Sequence, residues 1–138
     1  MDEPTELHLG DYRLCVQGDT LFVRALGAVE PEIARGLVRT VGQITERHGR
    51  VFILCDLRHA GPMPAESRRI FIEFGARHPP VLAIAFYHVS LMVRGVNALL
   101  FSALQLVSKR PHNMRQFSGE QEARSWLAAE RARLVPRT

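Results

Sequence analysis

Apolar and polar positions run along this chain in two rhythms, and the changes of rhythm mark out its elements. Residues 12–17 and 21–26 alternate with period 2, as half-buried strands do, and Tyr12, Leu14 and Val16 share one face. In the second of these strands Phe22 is out of phase with Leu21, Val23 and Ala25. Gly18-Asp19-Thr20 separates the two and predicts a β-hairpin. Residues 1–10 are polar and acidic and read as a loose lead-in.

The rhythm then becomes helical. Glu30-Pro31-Glu32 suits a helix start, with Pro at the first position and acids on the positive end of the dipole. Ile33, Leu37, Val41 and Ile44 form its apolar stripe, and Gly49 is expected to close it as a left-handed cap. Residues 51–57 are a nearly continuous apolar run, the mark of a strand covered on both faces. A second helix is predicted from Ala65 to about Arg77, with Ile70, Phe71 and Phe74 inward and His78-Pro79-Pro80 ending it. Residues 81–86 read as another buried strand and 113–117 as a short final one. Ser118 and Gln121 resemble a capping box opening a last helix to about Leu134, with Trp126 and Leu127 in the core and 135–138 as a tail. Strand and helix alternate after the hairpin, so the expected fold is α/β, with a mixed, mostly parallel sheet of about five strands and four helices.

The longest apolar stretch, 89–107, is interrupted by Arg94, Asn97 and Gln105. A bilayer span needs about 20 predominantly apolar residues, and an Arg near its middle is costly. The stretch therefore reads as a buried helix over 90–108 rather than a transmembrane segment, with Lys109-Arg110 complementing its negative end. On a helical wheel Ser90, Arg94, Asn97, Gln105 and Ser108 make a narrow polar stripe, broken by Phe101. The apolar remainder is wider than the stripe of an ordinary surface helix. Either neighbouring elements cover both flanks, or part of the face meets a second copy, a partner or an apolar ligand.

Composition narrows the function. The 138 residues, 46% hydrophobic and 23% charged, fit a single globular domain spanning the chain. No basic and apolar leader stands at Met1, so a cytoplasmic protein is expected. Cys15 and Cys55 lie in apolar runs and read as buried free thiols rather than as a disulfide or zinc ligands. Six scattered histidines show no metal-binding spacing. Residues 1–57 hold six arginines against nine carboxylates, whereas 58–138 hold twelve basic residues against five. The basic residues are spread over several helices without interleaved aromatics, which argues against a nucleic-acid partner.

The order β-β-α-β-α-β-α-β-α in so short a chain resembles the STAS (SpoIIAA-like) family. Residues 46–58, ERHGRVFILCDLR, resemble that family's helix end, third strand and Asp-Leu pair. Residues 114–127, MRQFSGEQEARSWL, resemble its final strand and helix, and the similarity runs through about 10–134. The resemblance implies an anti-sigma-factor-antagonist-like module, without cofactor, in which a Ser at the start of the helix after the third strand is phosphorylated by a partner. Counted from Asp56-Leu57, that segment falls on Pro64, Ala65, Glu66 and Ser67, so the acceptor position is Ala65, without a hydroxyl. Glu66 then supplies a fixed charge there, and Ser67 is a displaced acceptor candidate.

Ligands of open α/β sheets sit beyond the carboxyl ends of the strands. Here those ends carry Asp56, Arg58 and His59, then Tyr87, His88 and Ser90, with Arg94 a turn into the next helix. Arg58 and Arg94 are candidates for holding an anion. An enzyme built on Asp56, His59 and His88 lacks a nucleophile elbow, a phosphate-cradling loop or a dinucleotide fingerprint. The resulting expectation is a non-enzymatic module using Asp56, Arg58, His59, Glu66, Ser67, Arg68, Arg94 and Phe101. Its partner is a protein or a second copy; the alternative is a carrier of a small apolar or anionic ligand between the 90–108 helix and the sheet.

Overall fold

The computed structural model describes residues 3–78, 81–108 and 112–136. Six strands form one sheet in chain order: β1 (Thr5–Leu9), β2 (Tyr12–Gln17), β3 (Thr20–Gly27), β4 (Phe52–Ala60), β5 (Ala83–Tyr87) and β6 (Met114–Gln116). The first two pairings are antiparallel and the rest parallel. The helices are α1 (Pro31–His48), α2 (Ala65–Arg77), α3 (Leu91–Ser108) and α4 (Glu120–Leu134).

The expected hairpin, central strands and helices are all present, and a sixth strand joins them. The lead-in of the sequence reading is in fact β1, paired antiparallel to β2 from Thr5↔Val16 to Leu9↔Tyr12. Its residues are exposed except for partly buried Leu9, so no period-2 apolar signal announces it. Leu9 packs where Gly36 of α1 leaves space, since a Cβ there would stand 2.7 Å from the leucine methyls.

The period-2 rule divides the core. Tyr12, Leu14, Leu21, Val23, Ala25, Ile53 and Cys55 point to one face, where Val41 and Ile44 of α1 and Ile70, Phe71 and Phe74 of α2 cover them. Phe52, Leu54, Ala83, Ala85 and Tyr87 point to the other face, against Ala123 and Leu127 of α4 with Phe22 and Trp126 beside them. Gly49 closes α1 as expected, at φ 75°, its N–H donating to Thr45 O over 2.7 Å. The capping box of α4 does not form. Gly119 is the N-cap without a side-chain bond, and Ser118 Oγ instead reaches Glu122 Oε1 at 3.4 Å.

The third helix departs most from expectation, because it is not buried. Leu91, Met92, Leu99 and Leu106 are 88, 81, 75 and 78% exposed, while Asn97, from the predicted polar stripe, is 5% exposed. Asn97 faces inward because β6 offers it a partner, Gln116, whose Oε1 accepts from Asn97 Nδ2 at 3.2 Å. Phe101 also faces inward, its ring 5.6 Å from that of Phe86. Against α2, Leu104 lies over Gly75, where the leucine methyl leaves no room for a Cβ. The residues read as caps beyond α2 and α3, Pro79, Pro80, Lys109 and Arg110, lie outside the described residues.

One ion-pair cluster fastens α4 to the sheet. Asp19, 8% exposed in the β2–β3 turn, accepts from both terminal nitrogens of Arg131 and from Arg50 Nε at 2.7 Å. Arg131 also lies 4.3 Å from the centre of the Phe52 ring. Burial by itself raises the Asp19 pKa, but the hydrogen bonds from Arg131 and Arg50 outweigh it and hold it at about 2. A depressed carboxylate pKa stabilises the fold above its unfolded value of 3.8, and that contribution disappears as pH falls from there through about 2. The span corresponds to about 2.5 kcal/mol. Replacing Asp19 with Asn is therefore expected to cost about 2–3 kcal/mol at neutral pH in urea unfolding. The gap between variant and wild type should narrow steadily below pH 4, and an equal gap at pH 2.5 and pH 7 would refute the assignment.

Candidate functional site

Three surfaces deserve comparison: the rim beyond β4 and β5, the start of α2, and the space beneath α3. The rim is built differently from the sequence expectation. β4 continues to Ala60, so Arg58 and His59 stand in a strand rather than a turn, with His59 opposite Leu26 after a bulge at Arg24–Leu26. Asp56 Oδ1 accepts from the backbone N–H of Arg58 at 2.9 Å, so this carboxylate shapes its own strand end. Arg58 Nη2 donates to His88 Nε2 at 2.8 Å. His88 adopts φ 56°, in the left-handed region, and its ring meets Tyr87 edge-on at 4.9 Å. Burial, then the charge of Asp56, raises the Tyr87 pKa.

The rim thus joins Asp56, Arg58, Tyr87 and His88. Arg94 is exposed on α3, and among the described residues no hydrogen bond or ion pair ties its side chain to that cluster. Ser90 Oγ, two residues after His88, accepts from the Val93 N–H at 3.2 Å, and among the described residues no hydrogen bond brings a serine or cysteine side chain to the Arg58–His88 pair. Cys55, one residue before Asp56, is buried; burial and the Asp56 charge push its thiol up to about 12. No group of three or more His, Cys, Asp or Glu side chains is arranged for a metal among the described residues.

The start of α2 follows the count from Asp56-Leu57. Pro64 is the N-cap and Ala65 the first helical residue, both exposed. Glu66 reaches across to α1, where Arg35 Nη2 donates to its Oε1 at 3.0 Å between two half-exposed side chains. Arg68 turns back to donate to Met63 O at 2.6 Å. Ser67 is 0% exposed, and its hydroxyl donates to Val29 O at 2.6 Å. It is a structural link between α2 and the loop before α1, with no face open to a partner.

Beneath α3 the sequence reading expected packed core or a pocket, and a cavity of about 630 Å³ is present. It extends from Tyr12 and Val41 past Phe71, Phe74 and Phe86 to Val96, Leu100 and Phe101. Its few polar neighbours include Arg68, Ser90, Asn97 and His112. Its volume falls among ligand pockets of roughly 300–1,000 Å³. The exposed leucines and Met92 lie on the outer side of the same helix, where the sequence pattern leaves open a covered core face or an interface. Hydropathy cannot tell which side of a nearly all-apolar helix finds support.

No family model matches this chain, and no curated protein is similar to it in sequence. The fold, however, is the STAS (SpoIIAA-like) fold. A solved structure, that of the anti-sigma factor antagonist SpoIIAA in its unphosphorylated form, superposes with a TM-score of 0.51 over 96% of this chain and 100% of that one. The two sequences are 12% identical.

Ser67 supplies a direct check on the start of α2. Ser67→Ala should cost about 1 kcal/mol by losing one buried hydrogen bond. Ser67→Asp should cost several-fold more, because it buries a carboxylate facing a carbonyl oxygen. Thermal melts of the two variants test this, and a Ser67→Asp protein as stable as Ser67→Ala would show that the site opens to solvent.

Proposed function

We propose that this chain is a non-enzymatic STAS-type interaction and regulatory module of bacterial type, acting in the cytoplasm, whose switch position holds no phosphoacceptor. The start of α2 carries this reading: Ala65 opens the helix, and the one hydroxyl of its first turn, on Ser67, is sealed against Val29. A phosphate adds about −1.5 to −2 charges at such a position. Ala65 offers no oxygen to receive it, while Glu66 keeps one unit of negative charge beside it. A protein partner docking there meets a constant surface formed by Ala65, Glu66, Arg69 and Arg35. Arg68 supports that surface from below through Met63.

Affinity capture from the native host, compared between wild type and Glu66→Arg, tests the reading. A partner held through this surface should be depleted about tenfold by the reversal. The same partner should remain with Glu120→Arg, on the opposite face of the sheet. Retention of every partner by Glu66→Arg would remove the surface from consideration.

A second reading rests on the cavity of about 630 Å³, whose walls are mostly apolar. We infer from it a carrier of a small apolar or lipid-like ligand. Native mass spectrometry of gently purified protein should then show a discrete added mass, which Leu100→Arg abolishes. Bare protein from the native host would set the carrier aside.

A further inference from the structure

The outer face of α3 combines two properties that seldom occur together. The helix is long and apolar enough to cross a membrane by length and composition, yet only 11% of it is buried. Buried core helices pass the same test of composition, but burial is what this helix lacks. Met92, Leu99 and Leu106 follow at intervals of seven residues, so they line one side of the helix, with Leu91 beside them. This is a continuous exposed apolar strip rather than scattered single residues.

Charge indicates what meets the strip. Between Glu73 and Glu120 the sequence contains no Asp or Glu, while it contains Arg77, Arg94, Lys109, Arg110 and Arg115. Arg77 ends α2, which packs on α3, and Arg94 stands on α3 itself, whereas Arg115 alternates with Gln116 to the α4 face of the sheet, over the Phe117 ring and near Glu130. Arg77 and Arg94 are exposed. A second copy packed face to face through α3 would bring these cations together without a carboxylate from the same stretch to pair with them. An anionic lipid surface supplies both an apolar interior for the leucines and phosphates for the arginines.

We propose that α3 is a membrane-surface helix, lying in the headgroup region of an anionic bilayer with Leu91, Met92, Leu99 and Leu106 toward the acyl chains. It lies on the membrane rather than through it, because its inner side is engaged. Asn97 bonds to Gln116, Phe101 meets Phe86, and Leu104 fills the space over Gly75. This goes beyond the interaction module proposed above and uses a different helix from the partner surface at the start of α2.

Flotation with vesicles tests it directly. The full chain should float with vesicles of mixed phosphatidylcholine and phosphatidylglycerol, much less with phosphatidylcholine alone, and should be released as salt rises. Leu99→Glu or Leu106→Glu should reduce binding roughly tenfold or more. Both positions are solvent-exposed, so the circular dichroism spectrum and melting temperature should not change. Arg94→Gln should weaken binding less, and only at low salt. Failure of the wild type to float with the anionic vesicles overturns the proposal. So does unchanged binding by both glutamate variants. A dimer in light scattering that Leu99→Glu converts to monomer, without vesicle binding by wild type, assigns the strip to a second copy instead.

Discussion

A sheet with two apolar faces needs two covers, and in this protein one face depends on a single helix whose chief anchor is one carboxylate, Asp19. α4 is predominantly polar and contributes few large apolar groups, with Ala123, Leu127 and Trp126 meeting Phe52, Leu54 and the small residues of β5. Hydrophobic burial is non-directional and leaves the axial position of such a helix loosely defined. Asp19 defines it. The forked contact with Arg131 aligns the last turns of α4 over the β2–β3 turn, and Arg50 ties the start of β4 to the same point. Glu130 adds a second fastening. Bonds from Arg133 and Asn113 lower its pKa to about 2 and attach α4 to the approach to β6.

The opposite face is covered by more helix and less completely. α1 and α2 settle on the strands through ordinary apolar stripes. α3 touches the body through a short series of contacts, in which Asn97 supplies direction and Phe101 and Leu104 supply area. The space between these contacts is the cavity, and the side away from them is the leucine strip. Both follow from one circumstance: a helix apolar on nearly all sides has been given support on one.

Much of this architecture was legible in residue patterns. The hairpin, the doubly covered β4 and β5, the Gly49 cap and the placement of Ala65 at a helix start each depend on neighbours close in sequence. What escaped depends on partners far away. β1 has exposed residues and is recognised only through pairing with β2. Ser67 looked available because the carbonyl that buries it belongs to Val29, on another loop. The orientation of α3 was reversed because Asn97 suggested solvent on a wheel, whereas Gln116 waits for it inside. Of the rim residues, Asp56, Arg58 and His88 do converge, while among the described residues no hydrogen bond or ion pair ties the side chain of Arg94 to them.

The cavity has a mechanical consequence. Compression acts on volume, and whatever part of that cavity of about 630 Å³ its apolar walls keep dry is volume lost when the face opens to water. Hydrostatic pressure therefore acts on the contacts beneath α3, where that cavity lies. The cavity and the exposed leucines share one helix, so a force that loosens its inner contacts also moves the strip it carries.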